Sequence, residues 1–415
     1  MSDDLGGWNG AEFVLAADRL DTPDVIEAAD PGDMLRQVAS AAAQVRTALR
    51  SCAETDLSAF SPEGRPRAIV VAGGGSSGLA GEMLHALTGL GSPVQVVTSQ
   101  AERLPGWVGA ADAVIAVSCS GTTPETLAIA SEAARRGCRV AAVGTAGSPL
   151  HRIAEQARAP FVPVLAAGLP RSMLWALSIP LLVIAEQLGV ARIGADVYEL
   201  AASRLEEVSH QCRPASDSFV NPGKSLALDL VGTLPMVWGT SLLSGVAARR
   251  FASQLSENAK YPAIAGVLPE AAHNQVAAFD GPFAPSPSRL ASPGPQPTAE
   301  PPTTPGPDDV PDLSAWELDY DDDAERAGGF SPLKLVLVAD PDEDPRVGAQ
   351  RAAVTELAEQ RGIGLSELAM DGEHPLVRLA GVIQLADYAS VYLAIASGID
   401  PGQAVAIGDL KAGIE

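Results

Sequence analysis

The sequence contains little lysine, no cysteine pairing motif and no excess of basic charge. Among its 415 residues are four lysines, 24 arginines and four cysteines. The cysteines form no Cys-x-x-Cys pair, so we expect neither a zinc site nor a disulfide framework. The net charge of −23 argues against a general nucleic-acid surface, because such surfaces are basic. We therefore expect no nucleic-acid partner.

The chain also lacks the usual sequence features of a membrane or exported protein. No apolar run is long enough to predict a membrane span, and the first ten residues lack the basic-then-apolar order of a signal peptide. A hydrophobic content of 47% over this length allows two or three folded domains. These features predict a cytoplasmic protein without a membrane partner.

Apolar strand-like runs alternate with helix-like segments along the chain. In the first half, the predicted strands are 68–72, 94–98, 113–117, 140–143 and 161–164. A second alternation follows residue 200, with strands predicted at 235–239, 263–267 and 333–339. Alternating strands and helices form parallel sheets that are covered by helices on both faces. The sequence therefore predicts an α/β fold with two sandwich domains.

The predicted organisation has three parts and one insertion. Residues 1–60 form a helical segment, 61–200 the first α/β domain, and 201–415 the second. The second domain is interrupted at 281–329, where ten prolines precede a stretch with nine acidic residues. Because this segment has no apolar periodicity, burial cannot offset the entropy of ordering it. We therefore predict a disordered insertion.

Two loops rich in glycine and hydroxyl groups follow predicted strands. One is Gly-Gly-Gly-Ser-Ser-Gly at 73–78, and the other is Ser-Cys-Ser-Gly-Thr-Thr at 118–123. The first meets the GxGxxG spacing only loosely, and no acidic residue ends the next strand, which argues against dinucleotide binding. Since ligands of parallel α/β sheets bind beyond the carboxyl ends of the strands, both loops are placed to bind a ligand.

The loop at 118–123 has the composition of a phosphate site. Its hydroxyl groups are neutral donors, Gly121 permits close approach of the backbone, and a predicted helix begins directly after it. The free N–H groups and positive dipole end at that helix start favour an anion. A phosphate site built from hydroxyls rather than lysines indicates a phosphorylated metabolite that is held and released. We interpret Cys119 as a small spacer rather than a catalytic thiol.

Four further polar residues are candidates, although each is a weak signal alone. Arg171 precedes an apolar helix and is suited to charge stabilisation. Glu257, at the end of a predicted helix, is a candidate general base, and His273 follows in an Ala-His-Asn element. Lys411 belongs to a predicted amphipathic helix at the C-terminus. Taken singly, such residues are more often solvated or structural than catalytic.

The order of these motifs resembles the bifunctional phosphoglucose/phosphomannose isomerase family, whose members carry two sugar isomerase (SIS) domains in one chain. The family's Gly-Gly-Ser loop matches Gly74, Gly75 and Ser76. Its Ser-Tyr-Ser-Gly-Asn-Thr loop matches 118–123, and the matching positions are Ser118, Ser120, Gly121 and Thr123. Cys119 and Thr122 replace the family's usual Tyr and Asn.

The later elements of the family occur in the same order. Its Pro-Arg pair matches 170–171, and its Asn-Glu-Asn-Ala-Lys stretch resembles 256–260, which contains Glu257. Its His-Asn and Leu-Lys elements match 273–274 and 410–411. The resemblance therefore covers most of the chain apart from the insertion, and it implies two SIS-type three-layer α/β/α sandwiches with mainly parallel sheets.

The resemblance also implies an aldose–ketose isomerase of carbohydrate metabolism that acts in glycolysis or gluconeogenesis. The implied reaction interconverts glucose 6-phosphate or mannose 6-phosphate with fructose 6-phosphate through an enediolate. Glu257 would carry the proton between C2 and C1, Arg171 would stabilise the enediolate, and His273 and Lys411 would assist ring opening. The loops at 74–76 and 118–123 would hold the sugar phosphate. Neither a metal nor a redox cofactor is implied.

Family members form homodimers in which the histidine enters the partner's active site, so the resemblance implies the same assembly. Two alternatives remain open. A SIS-fold regulator that binds a sugar phosphate without turnover would use the same loops, although it has no need of an acid/base set. An amino-sugar phosphate isomerase is a third possibility, but the chain has no glutamine-amidotransferase-like domain or terminal cysteine nucleophile.

Overall fold

The computed structural model describes residues 10–60, 64–165, 167–285 and 333–413. Within these ranges the chain forms one five-stranded and one four-stranded sheet, and all strand pairs are parallel. The strands are β1 (Ala68–Ala72), β2 (Gln95–Ser99), β3 (Ala113–Ser118), β4 (Arg139–Gly144), β5 (Phe161–Pro163), β6 (Leu234–Gly239), β7 (Ile264–Val267), β8 (Leu333–Ala339) and β9 (Gly364–Ala369).

The helices of the described ranges cover both faces of each sheet. They are α1 (Gly10–Asp21), α2 (Pro23–Ala29), α3 (Met34–Ala39), α4 (Ala41–Glu54), α5 (Ser76–Thr88), α6 (Pro124–Arg135), α7 (Pro149–Ala157), α8 (Leu174–Gln187), α9 (Ala195–Gln211), α10 (Pro222–Leu230), α11 (Leu242–Gln254), α12 (Glu270–His273), α13 (Pro345–Gln360), α14 (Pro375–Ala396) and α15 (Val405–Ala412). Short 3-10 turns cover Ser58–Phe60, Pro170–Ser172 and Gln275–Asp280, and a π-helical turn covers Leu255–Ala259. The predicted α/β architecture with two sandwiches is confirmed.

A shared layer of helices lies between the two sheets. Helices α5, α8, α11 and α14 pack against one another there, while α6 and α7 lie on the outer face of the first sheet and α13 beside the second. The main apolar core runs through this shared layer. Strands β1 and β3 are buried along their whole length, as expected for parallel strands that are covered on both faces. The two sandwiches therefore share one core.

Helix α14 corrects our expectation that no segment has the length and composition of a membrane span. Its 22 residues are apolar enough to cross a membrane, but 94% of its most apolar 18-residue window is buried inside the fold. A helix that is hydrophobic on all sides is also typical of the centre of a large core. The packing of α14 against α9, α10 and α11 shows that it is a core helix.

The sequence pattern missed several elements of this architecture. Strand β9 pairs with β8 at the edge of the second sheet, and its side chains are mostly half-buried or exposed. Such a strand has no continuous apolar run to reveal it. Helices α7 and α9 were also not predicted. All but the first five residues of the predicted insertion at 281–329 lie outside the described ranges, so its predicted disorder stays a prediction.

Candidate active site

The two Gly/Ser loops meet at the edge of the first sheet. The strand order β2-β1-β3-β4-β5 means that the chain leaves β1 toward one side and β3 toward the other. This reversal creates a crevice between β1 and β3, where ligands of such sheets bind. The backbones approach closely there, because a Cβ added at Gly73 of the first loop would lie only 2.8 Å from the carbonyl oxygen of Val117, the residue directly before the second loop.

The hydroxyl side chains of the second loop bond to one another in pairs. The Ser118 and Thr123 hydroxyl oxygens lie 2.9 Å apart, and those of Ser120 and Thr122 lie 2.8 Å apart. The Gly121 N–H donates to the Ser118 hydroxyl at 3.0 Å. Among the described residues, no side chain caps α6, so its first-turn N–H groups remain available to an anion. Ser120 and Thr122 are exposed, whereas Ser118 is buried.

The turn that follows β4 supports this loop from behind. Gly121 has a φ of +68°, and a Cβ added there would lie 2.1 Å from the Ser148 hydroxyl oxygen. Both facts require glycine at this position. The Thr145 hydroxyl donates to the Cys119 carbonyl at 2.6 Å. Burial raises the pKa of the Cys119 thiol, which disfavours the nucleophilic thiolate and agrees with a spacer role.

A cavity of about 190 Å³ opens beside the first Gly/Ser loop, between α5 and α11. Its walls come from the loop, two facing helices and the end of β2. The lining residues are Gly75, Ser76, Leu79, Glu82, Gln100, Arg249, Arg250, Ser253 and Glu257.

Periodic spacing on the two helices explains which side chains reach the cavity. Ser76, Leu79 and Glu82 recur every three residues on α5, and Arg249, Ser253 and Glu257 recur every four residues on α11 and the turn after it. Arg249 Nη1 lies 3.0 Å from Glu82 Oε1. Burial raises the pKa of the Glu82 carboxyl, and Arg249 opposes that shift.

Glu257 lies on the π-helical turn that directly extends α11. Such wide turns are rare and occur frequently at functional sites. The neighbouring Asn258 is buried, whereas Glu257 is half-buried and faces the cavity. A half-buried carboxylate that lines a cavity beside the first Gly/Ser loop has a location that suits a general base.

Arg171 is buried beneath the site rather than exposed at its mouth. Its Nε donates to Asn258 Oδ1 at 2.8 Å, and its Nη2 donates to the carbonyl oxygens of Pro401 and Gly402 at 2.6 and 2.8 Å. Burial lowers the pKa of the guanidinium, and the nearby Glu257 carboxylate opposes that shift. Among the described residues, Nη1 has no hydrogen-bond partner, and Arg171 itself does not line the cavity.

The described part of the chain does not place His273 or Lys411 in this cavity. His273 is exposed at the end of α12 and does not line the cavity. Lys411 belongs to α15, which follows the segment that Arg171 binds, and its side chain lies outside the description. The structure thus brings together Gly75, Ser76 and Glu257, with Arg171 close by.

Sequence reasoning missed a buried ion pair next to the site. Arg250 on α11 and Asp387 on α14 are both buried, with Arg250 Nη2 2.7 Å from Asp387 Oδ2. The available signal was the carboxylate of Asp387 inside the long apolar helix α14. A charge in such a run indicates a buried partner, but the sequence alone does not say which one.

The second sheet has an equivalent edge, which the chain's own side chains occupy. Its order β7-β6-β8-β9 repeats the reversal, here between β6 and β8. Ser241 caps α11 and donates its hydroxyl hydrogen to Asp340 Oδ2 at 2.6 Å. The Asp340 N–H donates to the Thr240 hydroxyl at 3.0 Å, and Arg378 Nε lies 3.4 Å from Asp340 Oδ1. A carboxylate of the protein therefore occupies the helix start where the first sheet has an open loop.

No group of three or more His, Cys, Asp or Glu side chains in the described ranges is arranged to hold a metal ion. The four cysteines are free thiols. The chemical groups of the site are therefore carboxylate, guanidinium, hydroxyl and amide.

Comparison with known proteins identifies both halves of the chain. A model described as the bacterial phospho-glucose isomerase C-terminal SIS domain matches residues 219–414, and a SIS domain model matches residues 63–161. The bifunctional phosphoglucose/phosphomannose isomerase of Caldicellulosiruptor bescii is 26% identical over 343 residues, which cover 83% of this chain and 88% of that protein.

A second relative and a solved structure extend the comparison. The bifunctional phosphoglucose/phosphomannose isomerase of Aquifex aeolicus is 25% identical over 81% of this chain and 86% of its own length. The crystal structure of a hypothetical protein from Thermus thermophilus superposes with a TM-score of 0.62 at 14% identity, covering 97% of this chain and 94% of that one, and shows the shared fold. With matches in both halves and relatives aligned over most of its length, the chain belongs to the bifunctional phosphoglucose/phosphomannose isomerase family of tandem SIS-domain enzymes.

Proposed function

We propose that this chain, a sugar-phosphate isomerase by family, interconverts glucose 6-phosphate and mannose 6-phosphate with fructose 6-phosphate. The observation that carries the proposal is that Glu257 shares one cavity with Gly75 and Ser76, beside the hydroxyl loop. A carboxylate next to a phosphate-binding edge is the minimum that proton transfer on a sugar phosphate needs. The relatives named as isomerases of these two sugars support the choice of substrates.

The hydroxyl loop binds the phosphate in this proposal. Ser118, Ser120 and Thr123 turn their hydroxyl hydrogens toward the anion, and the first-turn N–H groups of α6 add backbone donors. Gly74, Gly75 and Ser76 contact the sugar on the adjacent side. Binding by neutral donors in place of lysine holds the phosphate without a permanent ion pair.

Glu257 then carries out the proton transfer. Its carboxylate removes the proton from C2 of the open-chain aldose and returns it to C1, and the O1 and O2 protons rearrange as the enediolate becomes the ketose. Glucose 6-phosphate and mannose 6-phosphate differ only at C2, so one carboxylate serves both when the substrate rotates about the C2–C3 bond. Each assisted proton transfer contributes roughly 10²- to 10⁴-fold.

Arg171 stabilises the enediolate, and its geometry suits that role. Its Nε and Nη2 are held by protein acceptors, so the free Nη1 is fixed in direction and donates to the developing negative oxygen. A preorganised donor costs no reorganisation when charge develops in the transition state. Because the guanidinium remains charged at any physiological pH, it suits this role better than a titrating group.

Ring opening requires further groups, and the described residues of a single chain do not bring them to the cavity. We propose a homodimer in which His273 of one subunit exchanges the proton of the ring oxygen in the partner's site, supported by Lys411. The exposed position of His273, outside the cavity of its own chain, favours this arrangement. Cytoplasmic location and a role in sugar metabolism complete the proposal.

The decisive experiment incubates the purified protein with fructose 6-phosphate and measures glucose 6-phosphate and mannose 6-phosphate as they form. We expect both products. Tight binding of fructose 6-phosphate without turnover at high protein concentration would contradict the enzyme and support a sugar-phosphate-binding regulator, a reading that the named relatives do not favour.

A further inference from the structure

A buried ion pair joins the helices on which the site is built. Arg250 Nε donates to Asp387 Oδ1 at 2.8 Å, and Nη2 donates to Asp387 Oδ2 at 2.7 Å. The two side chains are 2% and 8% exposed. This bidentate geometry is the strongest arrangement for a guanidinium and a carboxylate. Neither residue has a role in the proposed proton transfers.

The same guanidinium also contacts two parts of the candidate site. Its Nη2 donates to the backbone carbonyl of Arg171 at 2.7 Å, and its Nη1 lies 3.4 Å from the Ser76 hydroxyl oxygen. Ser76 is the first residue of α5 and belongs to the first Gly/Ser loop. A single buried group on α11 therefore connects the loop of the first sheet to the turn that carries Arg171.

The other end of Arg171 is held by the neighbour of Glu257. Asn258 Oδ1 accepts from Arg171 Nε at 2.8 Å, and Asn258 Nδ2 donates to the Ser390 hydroxyl at 2.9 Å. The Ser390 hydroxyl in turn donates to the Asp387 carbonyl at 2.7 Å. These contacts close a ring, so a shift of Arg250 or Asp387 is transmitted to both ends of Arg171.

We propose that the Arg250–Asp387 pair is a positioning device for isomerisation, which fixes Arg171 and Ser76 relative to Glu257. The proposal rests on the proposed function, because positioning is defined by the reaction. A buried ion pair adds little net stability when desolvation is counted, yet removing one partner is costly. Such a pair is therefore better explained by the geometry that it imposes, and misplacing a reacting group by about 1 Å can cost on the order of 100-fold in rate.

The test compares two buried ion pairs of the same chain. Arg250→Lys removes the bidentate geometry, and Asp387→Asn keeps the size of the side chain but removes its charge. Arg378→Lys is the matched control, because Arg378 and Asp340 form an ion pair with side chains 5% and 4% exposed at the edge of the second sheet. For all three variants, kcat, KM, the unfolding midpoint and backbone amide exchange are measured.

We expect Arg250→Lys and Asp387→Asn to lower kcat by roughly 10- to 100-fold with a smaller change in KM, whereas Arg378→Lys lowers the unfolding midpoint with kcat unchanged. Amide exchange over 169–176 and 255–261 should rise in the first two variants only. Equal kcat values and equal exchange in the three variants would overturn the proposal.

The design separates this proposal from the proposed function. A wild-type protein without turnover would refute the isomerase, but the exchange comparison would still decide whether the pair orders the Arg171 turn. Since Asp387→Asn changes no side-chain volume appreciably, it serves as the test when Arg250→Lys does not fold.

Discussion

The two sheets of this protein have the same reversal of strand order, yet only one leaves its edge open. In the first sheet, the hydroxyl groups of 118–123 bond among themselves, and α6 has no side-chain cap among the described residues. In the second sheet, Ser241 and Asp340 bond to each other at the start of α11, with Arg378 beside them. A helix start favours an anion in either case. In the first sheet the helix start has no side-chain cap among the described residues, whereas in the second the protein's own carboxylate, Asp340, is bonded to the capping serine.

Two sheets with the same topology can therefore have different roles in one protein. The second sheet supplies α11, whose far end carries Glu257 toward the first sheet's loops. Its own crevice is a structural contact. In the proposed site, Glu257 thus comes from the second half, whereas Arg171 and the ligand loops come from the first, and the shared helical layer lies between the two sheets.

The largest expected effect comes from exchanging a carboxylate in each half. Glu257→Gln should lower kcat by about 10²- to 10⁴-fold, because the amide cannot carry the proton, while binding of fructose 6-phosphate is retained. Asp340→Asn, the matched change in the second sheet, should leave kcat within a few-fold and lower the unfolding midpoint. Steady-state kinetics and thermal melts measure both. Comparable losses of kcat would remove the functional distinction between the two edges.

A smaller effect is expected from Gly121→Ala. The new methyl group meets the Ser148 hydroxyl and the residue has a positive φ, so the hydroxyl loop must shift. Such strain is worth on the order of 1–3 kcal/mol, which corresponds to roughly 5- to 150-fold weaker binding if it falls on the bound state. KM for fructose 6-phosphate and competition by inorganic phosphate measure the change. An unaltered KM would show that the phosphate lies elsewhere.

Serine-to-alanine changes test the same difference between the two sheets by removing one hydroxyl group from each. Ser120→Ala removes one exposed neutral donor and should raise KM by about two- to tenfold, since such a bond is worth about 0.5–1.5 kcal/mol. Ser241→Ala removes a helix cap and should lower the free energy of unfolding by about 0.5–2 kcal/mol with KM unchanged. Kinetics and urea unfolding of the same two proteins provide the readouts. If Ser241→Ala changed KM and Ser120→Ala did not, ligand binding would be assigned to the second sheet.

The smallest effect is expected from shortening the connection between Pro285 and Leu333. The Leu333 N–H donates to the Phe283 carbonyl at 3.3 Å, so the two ends of the connection are adjacent at the start of β8, the opposite end of that strand from Asp340. Replacing 286–332 by a short Gly/Ser linker should leave kcat within about twofold and add roughly 1–2 kcal/mol of stability from reduced loop-closure entropy. Loss of turnover would assign the segment a part in the reaction.

Most of the fold and part of the candidate site could be predicted from local sequence patterns. The buried runs of β1, β3 and β8 and the hydroxyl loop before Pro124 are visible because each is contiguous in the chain. The placement of Arg171 was not visible in this way. Its acceptors Asn258, Pro401 and Gly402 lie 87 to 231 residues away, and no local pattern records contacts of that range.

By itself, the sequence determined the alternation of strands and helices and the two Gly/Ser loops, because these follow from burial periodicity and residue type over a few residues. Only the tertiary structure decided that Asp340 closes one crevice while the other stays open. It also decided that Arg250 and Asp387, 137 residues apart, meet beneath Arg171. Pairing of buried charges depends on which helices become neighbours, and that choice is made by the packing of the whole core.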